Sequence, residues 1–151
     1  MRNCSKGFSL IELTMVIVLI GIVALFVMPQ DSLLNINLET AAAKVANDLR
    51  YTKELASITN TNCGVQFVAN GNYTVYQASV TNPALNPLTR QNFVTDIASL
   101  FKKVTIQNNL QVEFDPLGTP VLGSGQTVTL TNGQTTASLY ITPNTGFILR
   151  Q

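Results

Sequence analysis

The distribution of apolar residues divides the chain into an amino-terminal block and a longer mixed region. From Phe8 to Met28 the side chains are almost all apolar, and Glu12 is the only charged residue among them. As a helix, this block would be about 31 Å long at roughly 1.5 Å per residue, which matches the hydrocarbon core of a bilayer. The pattern predicts a single membrane-spanning helix over residues 8–28. Arg2 and Lys6 would hold the preceding residues on the cytoplasmic side.

The segment after this block has the periodicity of an amphipathic helix. Apolar or small residues recur at three- and four-residue spacing, which predicts one buried face: Leu38, Ala42, Val45, Leu49, Thr52 and Leu55. We expect the charged residues of this segment to form a solvated face: Glu39, Lys44, Asp48, Arg50, Lys53 and Glu54. Pro29 is expected to kink the helix between the two segments, because proline removes a backbone donor and clashes with the preceding turn.

Residues 59–151 have the short alternating runs and turn residues that are typical of β-strands. Asn70-Gly71 separates two such runs and predicts a hairpin. Strands are expected at residues 64–69, 72–77, 104–107, 110–114, 127–130 and 136–141, with an edge strand at 146–149, a loop at 79–92 and a short helix at 93–103. The predicted fold class is α+β, a long amino-terminal helix, its first half transmembrane, packed on an antiparallel sheet.

The composition excludes most enzyme chemistry. Only 11% of the 151 residues are charged, the formal net charge is +1, and the chain contains neither histidine nor tryptophan. The commonest metal ligand and general base are therefore missing, and no catalytic residue, metal site or cofactor is expected. Glu113 and Asp115 share a strand face but are expected to be solvated. Lys102-Lys103 is the one adjacent basic pair, too little for binding nucleic acid.

Three interpretations compete for the amino-terminal block: a secretory signal peptide, a plain membrane anchor, or a span whose Glu12 has a function. No lysine or arginine lies between Phe8 and Lys44 to pair with this carboxylate. A cut between Gly7 and Phe8 would create an α-amine that is largely protonated at neutral pH. This amine would lie one helical turn from Glu12, so the two charges could pair within a subunit or between staggered neighbours.

Residues 6–13, KGFSLIEL, followed by the apolar run, resemble the class III signal of type IV pilins and type II secretion pseudopilins. The resemblance implies that residues 1–7 are a leader and that a prepilin peptidase cuts after Gly7. It also implies that Phe8 is then N-methylated and that Glu12 is the carboxylate needed for assembly. Cleavage would remove Cys4 and leave Cys63, which we expect to be buried. Many pilins close a loop with a disulfide, and this chain departs from that pattern.

Two later motifs, FDPLGTP at residues 114–120 and PNTGF at residues 143–147, resemble the GspH/FimT group of minor pilins. The first also resembles the minor pilins of mannose-sensitive hemagglutinin pili. The resemblance implies four parts: the leader 1–7, a transmembrane and assembly helix 8–28, its amphipathic continuation 29–58, and a β-rich domain 59–151.

The function that the resemblance implies is that of a minor pilin, a structural subunit of a type IV pilus-like fibre and not an enzyme. Its partners would be the prepilin peptidase, other pilin subunits, the assembly platform and the inner membrane. The amino terminus would be cytoplasmic and the domain periplasmic until assembly into the fibre. Two alternatives stay open: a pseudopilin for protein export, and a membrane-anchored periplasmic binding domain, such as one serving DNA uptake. A simple anchor should tolerate Glu12→Ala, whereas an assembly subunit should not.

Overall fold

The computed structural model describes residues 9–26 and 30–151, which belong to two compact units, Met1–Asp31 and Ser32–Gln151. In the first unit, α1 (Leu10–Phe26) begins where the backbone N–H of Glu12 donates to the Ser9 carbonyl oxygen at 3.0 Å. Within the two described ranges, no helix combines the length and the apolar character that crossing a membrane requires. Pro29 lies outside the described residues, so the kink there stays a prediction.

The second helix, α2 (Gln30–Thr59), runs for 30 residues and carries the predicted amphipathic face. Five of the six residues predicted for the core are buried and the sixth, Leu55, is half-buried. Small side chains at Ala41, Ala46 and Ala56 are also buried, which lets the sheets approach the helix closely. The helix is followed by Asn60, whose φ of 51° lies in the left-handed region that often follows a helix end.

The rest of the chain forms nine strands and one short helix. In chain order they are β1 (Cys63–Phe67), β2 (Asn72–Gln77), β3 (Val94–Asp96), α3 (Ile97–Leu100), β4 (Thr105–Ile106), β5 (Leu110–Phe114), β6 (Pro120–Leu122), β7 (Thr127–Thr131), β8 (Thr136–Ile141) and β9 (Ile148–Arg150). They make two antiparallel sheets. The first has the order β3-β2-β1-β5-β6 and the second β4-β7-β8-β9. The α+β class and the hairpin at Asn70-Gly71 are confirmed.

The single predicted sheet is in fact two sheets, which divide at Asn108. Its amide donates to the Thr127 carbonyl at 2.8 Å and accepts from the Thr129 N–H at 3.0 Å. These bonds hold β4 beside β7, while β5 turns away to pair with β1. The two runs on either side of Asn108 are therefore strands, as predicted, but of different sheets.

The helix predicted over residues 93–103 is mostly wrong. Residues 94–96 pair with β2, and only α3 is helical. The helix begins only at Ile97 because Asp96 is its N-cap, and the Asp96 side chain accepts hydrogen bonds from the N–H groups of Ala98 and Ser99. Strand β6 was not predicted, since Pro120 is a poor strand former except at an edge.

The core lies between α2 and the inner faces of both sheets. Val65, Phe67 and Phe114 come from the first sheet, and Leu130 and Leu139 come from the second; all are at most 2% exposed. Cys63 is fully buried with a free thiol, as predicted.

Candidate assembly site

Helix α1 presents apolar side chains on all sides. Every residue from 9 to 24 is exposed, and its large apolar side chains are between 44% exposed, at Val16, and 81% exposed, at Leu10. Exposed apolar surface costs about 25 cal/mol for each Å² left in water. A continuous patch of this kind marks a surface that another apolar surface covers.

Glu12 lies in the first turn of α1, where the unpaired N–H groups of a helix favour a negative charge. Its side chain is exposed, and no cation of residues 9–26 or 30–151 lies within ion-pair distance of it. Gly7 and Phe8, the predicted cleavage and methylation site, lie outside the described residues, and their roles stay predictions.

The interface between α2 and the first sheet contains a polar cluster that the sequence interpretation placed in solvent. Asp48 accepts a hydrogen bond from the Tyr73 hydroxyl and another from the Lys44 ammonium at 2.9 Å. The Lys44 ammonium also lies 5.9 Å from the centre of the Phe93 ring. Lys44 and Asp48 are half-buried, so the prediction of a solvated face is wrong for them. Lys44 and Asp48 are four residues apart, which is also the spacing of a solvent-exposed ion pair on a helix. Only the contact with Tyr73, which is distant in the sequence, shows that this pair belongs to the interface.

The amino-terminal half of α2 is held by the second sheet. Asn35 accepts hydrogen bonds from the side chains of Asn132, at 3.1 Å, and Thr135, at 3.0 Å, both in the turn between β7 and β8. One helical turn later, Glu39 forms an ion pair with Arg150 of β9. Contacts with both sheets therefore fix α2 along most of its length.

The two acidic residues at the end of β5 have separate structural partners. Glu113 accepts hydrogen bonds from the Tyr76 hydroxyl at 2.7 Å and the Asn62 amide at 2.9 Å. Asp115 accepts from the backbone N–H groups of Leu117 and Thr119 and so closes the predicted turn. Both carboxyl groups are half-buried, not solvated as expected.

Burial raises the pKa of both hydroxyl groups in these clusters. The pKa of Tyr73 lies well above its ordinary value because the ring is buried and the Asp48 charge is close. The pKa of Tyr76 is raised by burial and by its hydrogen bond to Glu113. Both tyrosines therefore stay protonated in the folded protein at a pH where free tyrosine ionises.

These shifts predict a loss of stability in alkali. The unfolded chain releases both tyrosine protons near pH 10, whereas the folded chain retains them. Below about pH 10, these two tyrosines therefore do not make the free energy of unfolding depend on pH. Above about pH 10, each tyrosine lowers the free energy of unfolding by up to about 1.4 kcal/mol per pH unit. We expect the free energy of unfolding, measured with urea from about pH 8 to 11, to fall less steeply with pH in the double variant Tyr73→Phe, Tyr76→Phe than in the parent. Equal slopes in the variant and the parent would contradict the assignment.

Comparison with known proteins gives two family matches and two matching crystal structures of one protein. Residues 2–28 match the prokaryotic N-terminal methylation motif, and residues 41–146 match the family described as type II transport protein GspH. A comparison with curated proteins found no match. A crystal structure of the type IV minor pilin FimU from Pseudomonas aeruginosa covers 76% of this chain and 92% of its own, with a TM-score of 0.55 and 15% identity. A second crystal form of FimU covers 76% and 86%, with a TM-score of 0.53 and 17% identity.

At these identities the FimU structures establish the fold, a long helix packed on antiparallel strands. The family match covers most of the chain, including α2 from residue 41, the whole first turn motif and residues 143–146 of the second, and it confirms the resemblance to the GspH/FimT group. The methylation motif covers the predicted leader and the apolar block. The chain belongs to the GspH family of type II transport proteins and is a pilin-like protein of the minor pilin and pseudopilin class.

Proposed function

We propose that the chain is a minor subunit of a pilus-like fibre into which it assembles through α1. The observation that carries this proposal is the surface of α1, apolar on every side with a single carboxylate, Glu12, in its first turn. Helices of this kind bury one another when they pack side by side. A fibre core of α1 helices would cover this exposed apolar surface.

Cleavage prepares the helix for that packing. Removal of residues 1–7 leaves the Phe8 amine as a cation at the start of α1, and N-methylation leaves it protonated. Glu12 is the charge that compensates it, within the subunit or from a staggered neighbour. An unpaired charge in an apolar fibre core would cost several kcal/mol, so pairing favours the one stagger that brings the amine and the carboxylate together.

Before assembly, the apolar block of residues 8–28 holds the subunit in the inner membrane, with residues 1–7 in the cytoplasm and the domain in the periplasm. Its partners in this scheme are the prepilin peptidase, the assembly platform and the other subunits. The description of the matched family, type II transport protein GspH, supports a second candidate, a pseudopilus subunit for protein export. Both candidates share the processing and assembly steps, and they differ in whether the subunit belongs to a pilus or to a protein-export system.

Intact-mass measurement tests the processing step. We expect protein from membranes of cells with an active prepilin peptidase to lack residues 1–7 and to carry one added methyl group, and protein from cells without the peptidase to be full-length. The same full-length mass in both strains would refute the proposal and leave an anchored domain. Loss of the whole apolar block would identify a secretory signal instead.

A further inference from the structure

The chain contains two Asn-Gly dipeptides, Asn70-Gly71 in the turn between β1 and β2 and Asn132-Gly133 in the turn between β7 and β8. Asparagine is a thermolabile residue, because the backbone nitrogen of the next residue can attack the carbon of its side-chain amide. Glycine makes this attack easiest, since it has no Cβ to hinder the approach and its backbone rotates freely. Both dipeptides therefore have the sequence that favours loss of the amide, and their surroundings decide which of them reacts.

The amide of Asn132 is held at both of its polar atoms. Its Oδ1 accepts hydrogen bonds from the N–H groups of Gln134, at 2.9 Å, and Thr135, at 2.8 Å. Its Nδ2 donates to the Oδ1 of Asn35 on α2 at 3.1 Å. The residue is only 5% exposed. The amide cannot turn toward the Gly133 nitrogen without breaking these bonds, and burial limits the access of water to it.

The amide of Asn70 has a different environment. Asn70 is exposed at the tip of its hairpin, and within residues 9–26 and 30–151 no group forms a hydrogen bond with its side chain. Its φ of 55° lies in the left-handed region, which asparagine enters more readily than most residues. The amide of Asn70 is therefore free to rotate and is in contact with solvent.

The attacking nitrogen does not distinguish the two turns, because it is engaged in both. The Gly71 N–H donates to the Val68 carbonyl at 3.1 Å, and the Gly133 N–H donates to the Thr131 hydroxyl at 3.0 Å. One hydrogen bond at an exposed turn opens by local fraying, without unfolding of the domain. At Asn70 that single opening is enough for ring closure, whereas at Asn132 the bonds of the amide must break as well.

We propose that Asn70 is a site of spontaneous covalent modification, converted through a succinimide to aspartate and isoaspartate, and that the fold protects Asn132 from the same reaction. The Gly71 nitrogen gives up its proton to a solvent base and forms a bond to Cγ of Asn70. The bond between Cγ and Nδ2 then breaks, and the amide nitrogen takes up a proton and leaves as ammonia. No group is oxidised or reduced.

Water opens the succinimide ring in one of two ways. Addition at Cγ breaks its bond to the Gly71 nitrogen and gives isomer-free aspartate with the original backbone. Addition at the backbone carbonyl carbon of residue 70 leaves the chain running through Cγ, which is isoaspartate. Either product carries one oxygen atom from water and one new negative charge. This inference is independent of the proposed function, because it requires only the folded domain.

The new charge would lie close to an existing one. Asn70 lines a small polar cleft together with Gly71, Asn72, Asp96 and Ala98. Asp96 is the N-cap of α3, so a second carboxylate in this cleft would repel the first. The Asn70 N–H also donates to the carbonyl of Ile106 in the second sheet at 2.8 Å. Isoaspartate lengthens the backbone at this point and so disturbs a link between the two sheets.

Peptide mass spectrometry of the full chain, kept folded in detergent in a mildly alkaline buffer made with isotopically labelled water, tests the proposal. We expect residue 70 to be converted at least tenfold faster than residue 132, with one labelled oxygen in each product and with isoaspartate present. Equal rates at the two positions, or no conversion at residue 70, would overturn the proposal. Aspartate without isoaspartate would indicate direct hydrolysis and refute the succinimide step.

Two controls assign the cause. Gly71→Ala should slow conversion of Asn70 at least tenfold, because the added Cβ hinders the attacking nitrogen and meets only the exposed Val68 side chain, at 3.3 Å. An unchanged rate in this variant would mean that the Gly71 nitrogen is not the attacking atom. In concentrated urea the two asparagines should react at rates within about threefold of each other. A tenfold difference that persists in the unfolded chain would show that the fold does not protect Asn132.

Discussion

Replacing Glu12 with alanine is expected to remove the protein from the fibre while leaving cleavage after Gly7 unchanged. The variant would keep the apolar surface of α1 but would leave the Phe8 amine without a compensating charge in the packed core. Removing one partner of a buried ion pair costs about 3–5 kcal/mol. At about 1.4 kcal/mol per factor of ten, incorporation should fall on the order of 100-fold or more. The measurement is the ratio of fibre-bound to membrane-bound protein after shearing.

Two further variants show whether charge is the cause. Glu12→Gln keeps the shape of the side chain without its charge and should fail as alanine does. Thr14→Ala changes another exposed polar residue of α1, whose hydroxyl donates only to the Ile11 carbonyl of its own helix, and should assemble normally. Normal assembly of Glu12→Gln would show that the carboxylate is not needed as a charge.

The second large effect is expected on stability, from Gly64→Ala in the central strand β1. A Cβ at this position would lie 2.3 Å from the Tyr76 hydroxyl oxygen and 2.6 Å from the Val112 carbonyl oxygen. The carbonyl belongs to the neighbouring strand, and the Tyr76 ring is fully buried and hydrogen-bonded to Glu113 and Gln111, so neither can move cheaply. We expect a loss of about 3 kcal/mol in the free energy of unfolding and a fall in melting temperature of roughly 10 °C.

Thermal unfolding of the full chain in detergent, followed by circular dichroism, measures this effect. Gly71→Ala is the matched control, because the nearest atom to a Cβ there is the Val68 Cγ1 at 3.3 Å, on a side chain that is exposed and can shift. If the melting temperature of Gly64→Ala equals those of Gly71→Ala and the parent, β1 and β2 tolerate a wider spacing than the structure has.

The elements that the sequence predicted correctly are those encoded by neighbouring residues. The Asn70-Gly71 hairpin depends on a dipeptide, and the buried face of α2 depends on spacings of three and four residues. The candidate processing site, which stays a prediction, is equally local, since Gly7, Phe8 and Glu12 lie within one short motif. Each of these signals can be read without knowing what lies opposite in the fold.

The features that could not be predicted depend on contacts between distant segments. The separation of β4 from β5 requires Asn108 to bond to β7, some twenty residues later. The role of Asp48 depends on Tyr73, and the position of Leu117 depends on Ser57, 59 residues before Pro116. Local sequence patterns do not report such pairings, so the sequence could suggest the assembly helix but not these long-range contacts.

The attachment of α2 to both sheets also determines how the domain responds to mechanical load. A pull along α2 acts on the Asn35 and Glu39 contacts with the second sheet and on the Asp48, Lys53 and Ser57 contacts together. Bonds loaded in parallel share the tension, whereas bonds loaded in series break one after another. Traction on the helix would thus be shared among several non-covalent contacts, and Cys63, the single cysteine of the described residues, has a free thiol.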